Sequence, residues 1–311
     1  GRLYWFGSLD PTPARREKVR LTRDAALRLA PDAPETRLAV GAYAYTCDND
    51  WARALAEFQV AARALPNDAQ VHYFIGIAQR RLGRLDENLA AFARAIELNP
   101  RDGLCPPEQL LTLLALRRYA EVQKLGERYR ALFLKSSYIH LHLAVARLER
   151  EGDREAFFHG LEAWPIEPGD PGELQWPYAI AIARGDFPAA QRALADPRLP
   201  GISPGGGVIS EPVALHRAIV AFLSGDKEGA RALADEAIAA YKAGAWSRRQ
   251  ESWVLTGTAL AHALAGRPDE ALRHAREGLA LEASRDAFLR HYQQERVWRI
   301  YAVLDRRDEA F

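Results

Sequence analysis

The chain has 311 residues, of which 48% are hydrophobic and 27% are charged, as in folded water-soluble proteins and unlike disordered ones. Its 42 Lys and Arg residues almost balance its 41 Asp and Glu residues, so the net charge of +1 argues against nucleic acid as a partner. No apolar run reaches the roughly 18 residues of a membrane-spanning helix, so we expect no membrane contact from this segment.

The first residues, GRLYWFGSLD, lack the charged and apolar regions of a signal peptide. The chain does not begin with Met and contains 0 Met residues, which indicates a fragment of a longer protein. Cys47 and Cys105 lie far apart and have no metal-type spacing, so we expect reduced, partly buried thiols. These features predict a cytoplasmic location.

From residue 26 onward the predicted helices repeat. Recurring residues stand 34 positions apart, from 58 to 92, from 61 to 95 and from 66 to 100. The pairs are Phe58 and Phe92, Ala61 and Ala95, and Pro66 and Pro100. Ala26 and Pro31 fit the same frame one unit earlier. This period, with small residues and an aromatic at fixed points, is typical of the tetratricopeptide (TPR) helix-turn-helix repeat.

Each recurring residue has a physical role in such a hairpin. Gly76 and Ala95 are small because two helices would cross closely there, and Phe92 would fill the gap to the next hairpin. Gly83 allows a turn with positive φ, and Pro100 ends the second helix. Gly41 precedes Gly76 by 35 residues, which indicates one inserted residue around TCDND.

Similar turn signatures continue to the C-terminus. They begin with GD or GR at Gly152, Gly185, Gly225 and Gly266, with a degenerate unit over 117–132 and a shortened one at RRDEAF. We therefore predict an all-α fold, a right-handed TPR superhelical solenoid of about nine units with the first and last incomplete. Within this single array, 1–102 would hold regular repeats, 103–212 degenerate repeats with Pro/Gly-rich linkers at 162–177 and 196–212, and 213–311 the C-terminal repeats.

Two stretches carry a closer likeness: LYWFGSLDPTPARREKVR with the repeats that follow it to RRLGRLDENLAAFARAIELNPRD, and GRPDEALRHAREGLAL near the C-terminus. They resemble the TPR modules C-terminal to adenylate/guanylate cyclase, Ser/Thr kinase or winged-helix domains in bacterial signalling proteins. The resemblance implies a regulatory or scaffolding segment whose effector domain lies upstream. No cyclase or kinase motif is present to carry over.

No constellation for catalysis, metal binding or cofactor binding is found. The glycine cluster SPGGGVIS lacks the Lys-Ser/Thr of a phosphate loop, so Gly205–Gly207 are interpreted as a loop between helices. His140 and His142 are two residues apart and point to different sides of a helix. Acidic pairs such as Asp86 and Glu87 suit helix N-termini without any acid–base role. We predict that the chain is not an enzyme and needs no cofactor or metal.

Candidate binding residues are the first-helix positions that line the inner face of a TPR superhelix. They are Leu38, Tyr45, Tyr73, Ile77, Arg80, Leu215, Phe222, Tyr292 and Arg299. The chaperone-binding TPR proteins place Lys and Asn there to hold a terminal carboxylate, whereas Tyr73 and Ile77 favour an extended or helical peptide with apolar anchors. The alternative is that these residues only pack inside the superhelix.

The function predicted from this pattern is a protein–protein interaction scaffold that binds a peptide or protein segment in its groove. The second reading is self-association into a homo-oligomer, or intramolecular regulation of an upstream effector domain. Both readings rest on what the fold can do.

Overall fold

The computed structural model describes residues 13–134, 136–162, 173–199, 201–202, 210–244, 246, 250–283 and 286–309. The chain forms two compact units. Unit 1 takes in Pro13–Pro168, and unit 2 takes in Gly169–Phe311. The boundary falls inside the degenerate region predicted for 103–212, and the three-part division of the array stays a prediction.

Unit 1 consists, in its described part, of nine α-helices joined by short turns. They are α1 (Pro13–Leu29), α2 (Pro34–Tyr43), α3 (Trp51–Ala64), α4 (Ala69–Arg81), α5 (Leu85–Leu98), α6 (Cys105–Ala115), α7 (Tyr119–Leu132), α8 (Ser137–Glu151) and α9 (Arg154–Glu162). From α2 onward consecutive helices pair as hairpins, and α1 is the second helix of an incomplete first unit.

Unit 2 continues the pattern with seven α-helices in its described part. They are α10 (Trp176–Arg184), α11 (Phe187–Leu194), α12 (Val213–Leu223), α13 (Lys227–Ala243), α14 (Glu251–Leu264), α15 (Pro268–Ala283) and α16 (Arg290–Val303), followed by a 3₁₀ turn, Arg307–Glu309. Helix α10 begins inside the predicted linker 162–177. The last helix, α16, opens an incomplete unit, as predicted.

The inserted residue at TCDND has a specific structural solution. Helix α2 runs directly into a π-helical turn, Ala44–Asp48, which ends at Asn49 with a left-handed φ of 54°. A π turn takes up one more residue than an α turn. The π turn therefore accommodates the extra residue that lengthens the Gly41–Gly76 spacing, and the repeat pattern resumes in the next hairpin.

The hairpin turns use the left-handed backbone conformation that the glycines predicted. Gly83 has a φ of 75° between α4 and α5. In the degenerate unit the same conformation falls on Arg117, with a φ of 55°. For a residue with a Cβ this region is less favourable by roughly 1–2 kcal/mol. The turn at Arg117, which has no glycine, is therefore strained.

The small-residue positions lie where two helices of a hairpin cross. A Cβ placed on Gly76 would lie 2.6 Å from Cε1 of Phe92, and one on Gly41 would lie 2.5 Å from Cε1 of Phe58. Both phenylalanine side chains are completely buried. The close approach predicted at Gly76 is observed, and the side chain that meets it is Phe92 of the same hairpin, a contact that the sequence analysis did not predict.

The repeat register predicts core positions for four further aromatic residues, Trp51, Phe157, Phe187 and Trp253. Two of them are only half-buried. Phe157 and Phe187 both keep exposed surface, while Trp51 and Trp253 are buried as predicted. In α9 the buried aromatic is Phe158, because the core face of that helix passes through 158 and 161. The sequence placed the core register of α9 one residue too early.

Helices account for the described structure almost entirely. The one exception is an isolated antiparallel bridge, in which Ile202 and Glu211 exchange two backbone hydrogen bonds of 3.0 and 2.7 Å. The predicted Gly205–Gly207 loop lies outside the described residues. None of the described helices is long and apolar enough to cross a membrane.

Candidate functional site

Most of the groove candidates in unit 1 are buried. Tyr45, Tyr73 and Ile77 belong to one hydrophobic cluster formed by α2 to α6, and Arg80 is buried beside it. Leu38 packs against the same cluster but keeps part of its surface exposed. Packing accounts for the positions of the four buried side chains, and Leu38 is the member of this set that a ligand would reach directly.

Arg80 is neutralised by a carboxylate from the next first helix. Its Nη2 lies 2.5 Å from Oε2 of Glu108 on α6, and its Nη1 donates to the Glu108 carbonyl oxygen at 3.4 Å. The guanidinium also lies 5.9 Å from the ring centre of Phe92. Because the charge is paired, this face of unit 1 offers no unpaired cation at Arg80 for a ligand carboxylate.

His142 on α8 lies near this ion pair and is fully buried. Its Nδ1 has no hydrogen-bond partner among the described residues. Burial lowers the pKa of His142 to about 4, and the charge of Arg80 acts in the same direction while Glu108 opposes it. The imidazole is therefore neutral at pH 7, and protonating it inside the fold is unfavourable.

Acid should destabilise unit 1 through His142. The unfolded chain, with an ordinary His pKa near 6.5, binds a proton more readily than the folded one with a pKa of about 4. Stability is therefore lost as pH falls through this window, by about 2 kcal/mol between pH 7 and 5. Urea unfolding at both pH values should show a smaller loss for His142→Leu than for the wild type.

The matched control for this prediction is His140→Leu on the same helix, where the replaced histidine is less buried. It should keep the acid sensitivity of the wild type. Equal acid sensitivity of the wild type and His142→Leu would contradict the prediction.

The groove candidates in unit 2 are divided between core and surface. Leu215 on α12 is completely buried. Phe222, near the end of the same helix, and Tyr292 on α16 are half-buried. Arg299, also on α16, has 62% of its side chain exposed and pairs with Glu295 one turn away at 2.5 Å. The surface that a ligand could touch is therefore carried mainly by α16.

Beneath this surface lies a buried carboxylate that the sequence did not single out. One oxygen of Glu211, Oε1, accepts from Arg296 Nη2 at 2.5 Å and from the Tyr241 hydroxyl at 3.1 Å. The other oxygen, Oε2, lies 3.2 Å from His216 Nε2. Glu211 thus connects the segment before α12 to α12, α13 and α16.

Burial of Glu211 disfavours its charged form, but its partners reverse the effect. The charge of Arg296 and the hydrogen bond from His216 together lower the pKa of Glu211 to about 2. The carboxylate is therefore ionised at any physiological pH. Its contribution to stability is present above the unfolded-state pKa of 4.5 and is lost as pH falls towards 2.

Arg296 is held on every side by groups from α14 and α16. Its Nε donates to the Thr256 hydroxyl at 3.0 Å, and that hydroxyl donates to Gln293 Oε1 at 2.8 Å. The guanidinium carbon lies 5.0 Å from the ring centre of Trp253, a cation–π contact. A side chain at Gly257 would overlap the Tyr241 hydroxyl. The arginine is thus fixed in one position.

Tyr178, His216 and Glu211 form a relay in the order found in acid–base triads. The Tyr178 hydroxyl lies 3.0 Å from His216 Nδ1, so Nδ1 accepts from the phenol while a proton on Nε2 faces Glu211. Burial raises the pKa of Tyr178, and Glu211 adds to the rise while Arg299 opposes it. A buried phenol with a raised pKa is a poor nucleophile, so these three side chains serve to connect α10 to α12 and to the segment before α12.

Two adjacent large side chains on α16 are exposed. Trp298 is 49% exposed, next to Arg299. The opposite face of the helix carries Gln293, Val297 and Ile300, which are buried. The charge of Arg299 also acts on the Tyr178 hydroxyl of α10, lowering its pKa slightly against the larger effect of burial.

Metal and thiol chemistry find little support in the described residues. They contain no group of three or more His, Cys, Asp or Glu side chains that could hold a metal ion. Cys47 and Cys105 are both free and buried, and burial raises the pKa of each thiol. Neither cysteine is therefore a reactive thiolate.

Sequence reasoning missed the buried network because its members carry no local signal. Glu211 lies in a Pro/Gly-rich connection, where a charged residue is normally solvated. Arg296 lies on a helix rich in polar residues, 85 positions away. Only the fold brings the two together. Trp298 was also missed, because it falls one position outside the inner-face pattern used to select Arg299.

No protein-family model and no curated protein matches the sequence. Solved structures do match. Yeast Tom70 superimposes with a TM-score of 0.56 at 13% identity, covering 93% of this chain and 59% of its own. Human IFIT1, in a dimer with PPP-AAAA, gives 0.52 at 13% identity, with 99% and 79% covered. A tetratricopeptide repeat protein from Parabacteroides merdae gives 0.47 at 12% identity, with 96% and 99% covered.

These likenesses concern the fold alone. The chain spans 59% of the Tom70 chain, less than two thirds of its length. Together with the repeating hairpins described above, the likenesses to Tom70 and IFIT1 confirm the predicted fold class, an all-α array of the TPR type. The sequence resemblance to modules of bacterial cyclases, kinases and regulators remains a prediction.

Proposed function

We propose that this chain is a protein-binding scaffold, and that the exposed surface of α16 in unit 2 holds a segment of a partner protein. The observation that carries the proposal is the exposed pair Trp298 and Arg299 on α16. Tryptophan and arginine are the residue types most enriched among those that dominate binding energy at protein interfaces. Half-buried Phe222 and Tyr292 would add apolar contacts from α12 and α16.

The buried network gives this surface its rigidity. Arg296 lies one turn before Ile300 on the buried side of α16 and is fixed by Glu211, Thr256 and Trp253. A binding surface whose backbone is already ordered loses less conformational entropy when it binds. The buried candidates would act in the same way, by shaping the inner faces of the two units without touching the partner. They are Leu215 in unit 2 and Tyr45, Tyr73, Ile77 and Arg80 in unit 1. Leu38 would contact the partner directly.

The proposed setting is a regulatory segment of a larger bacterial signalling protein. This part rests on the resemblance of the repeats to such modules. A segment of this kind acts without chemistry of its own: it presents preformed side chains, and a few anchors supply most of the affinity.

Peptides selected from a displayed random library on the wild-type chain provide the test. We expect Trp298→Ala to weaken a selected peptide at least about tenfold, and Arg299→Ala to weaken it less, because Arg299 already has an intramolecular partner. Fluorescence anisotropy with the labelled peptide measures both dissociation constants.

Leu21→Ala is the matched control, since it removes a 52% exposed large apolar side chain from α1 in unit 1, outside both proposed binding surfaces. It should leave the affinity unchanged. Selected peptides that bind the Trp298→Ala variant as tightly as the wild type would refute the proposed site. A stable dimer in sedimentation velocity that Trp298→Ala dissociates would instead support self-association through the same face.

A further inference from the structure

Unit 1 exposes large apolar side chains at two consecutive connections between hairpins. Leu104 precedes α6 and is 46% exposed. Around the α7–α8 connection, Leu132, Leu134 and Tyr138 are 65%, 69% and 55% exposed. We refer to these four residues as the apolar edge. They are four of the nine large apolar side chains that the described part of the chain exposes.

The two connections are in contact. A Cβ placed on Gly103 would lie 3.5 Å from Cδ1 of the Phe133 ring, so the loop before α6 lies against the loop before α8. Leu104 directly follows Gly103, and Leu132 and Leu134 flank Phe133. The exposed leucines therefore form one surface patch. Contiguous exposed apolar patches on soluble proteins commonly mark interaction sites.

The charges around the apolar edge are predominantly unpaired cations. Arg128 lies one turn before Leu132 on α7, so it borders the patch. Arg101 lies in the same connection as Leu104, three residues before it. Both are exposed, and neither has an ion-pair partner among the described residues. Of the nearby acids, Glu127 pairs with Arg130 at 2.6 Å, whereas Asp102 accepts from the Leu104 backbone at 3.0 Å and keeps its charge. The unpaired charges named here are therefore two cations and one anion.

We propose that the apolar edge of unit 1 is a second interaction surface, and that it binds an acidic amphipathic segment of a partner protein. Apolar side chains of that segment would cover Leu104, Leu132 and Leu134, and its carboxylates would face Arg101 and Arg128. A neutral or basic segment would bury the same leucines but leave two cations without partners. The surface lies at the connections between hairpins and is independent of the α16 face of unit 2.

Two synthetic helical peptides test the charge and the apolar contacts together. Both have leucines at helical spacing, and they differ only in that one has glutamate and the other lysine at the polar positions. We expect the glutamate peptide to bind the full chain at least about tenfold more tightly than the lysine peptide. Isothermal titration calorimetry measures both affinities.

Variants of the chain separate the two contributions. The double variant Leu132→Asn/Leu134→Asn should weaken the glutamate peptide at least about tenfold, and Arg101→Glu/Arg128→Glu should reverse the preference between the peptides. Circular dichroism should be unchanged, because all four positions are exposed. Trp298→Ala should leave glutamate-peptide binding unaffected, so failure of the α16 site and failure of this one are distinguishable.

Other occupants give other results. Equal affinity for both peptides, or no loss in the leucine variant, would overturn the proposal. Binding to vesicles of phosphatidylcholine and phosphatidylserine without binding to the glutamate peptide would identify an anionic membrane as the occupant. A dimer in sedimentation velocity that the leucine variant dissociates would identify a second copy of the chain. Either of these results would also overturn the proposal.

Discussion

Replacing Arg296 by Leu should lower the free energy of unfolding by about 3–5 kcal/mol. The cause is the carboxylate left behind: Glu211 is buried and depends on Arg296 Nη2 at 2.5 Å for its charge balance. Tyr241 and His216 would remain as hydrogen-bond partners, but hydrogen bonds alone do not neutralise a buried anion. Urea unfolding at pH 7 measures the loss.

The control for this prediction is Arg299→Leu, one turn along the same helix. Its ion pair with Glu295 is exposed, and such pairs contribute about 0–1 kcal/mol. The double variant Arg296→Leu/Glu211→Gln should recover part of the loss, because the unpaired charge is then removed. If Arg296→Leu costs no more than Arg299→Leu, the buried network does not stabilise unit 2 in the way described.

Phe92→Ala should destabilise unit 1 by about 3–5 kcal/mol. The ring is completely buried, contacts the backbone at Gly76 where no side chain fits, and stacks on Tyr73 with ring centres 5.8 Å apart. Alanine would leave a cavity between α4 and α5. The two helices could close it only by changing the way they cross at Gly76. Chemical denaturation of the variant and the wild type gives the difference.

Two further variants test whether the loss of stability comes from the packing of Phe92 against Gly76. Phe157→Ala removes an equal volume from a half-buried position in the same unit and should cost clearly less. Gly76→Ala should be destabilising in the wild type but better tolerated beside Phe92→Leu, because the smaller side chain makes room for the added methyl group. Additive effects of these two changes would show that the glycine and the phenylalanine do not pack as a pair.

The fold was predictable because its determinants are local and repeated. Gly76, Gly83 and Phe92 each act within one hairpin, and the 34-residue period places the same roles at Gly41 and Phe58. The positions of helices that depart from the repeat pattern were predicted less accurately. The core register of α9 was misplaced onto Phe157, and the start of α10 was hidden in a linker that contains several prolines.

The candidate site was harder to predict, for a physical reason. Inner-face positions were selected by helical register, which says which way a side chain points but not whether another helix covers it. Tyr73 and Ile77 were selected in this way and are covered by neighbouring side chains. The contact between Glu211 and Arg296 spans 85 residues, and no local pattern can report a pairing at that distance.

That pairing has a consequence for how this molecule can change over evolution. Repeat arrays of this kind tolerate duplication and loss of whole units, because each unit ordinarily contacts only its neighbours. Glu211 stands before the α12–α13 hairpin and Arg296 on α16, with the α14–α15 hairpin between them in the chain. Adding or removing a hairpin in that interval would separate the Glu211 carboxylate from the Arg296 guanidinium that neutralises it. The number of repeats in this part of the array is therefore fixed by a single pair of charges.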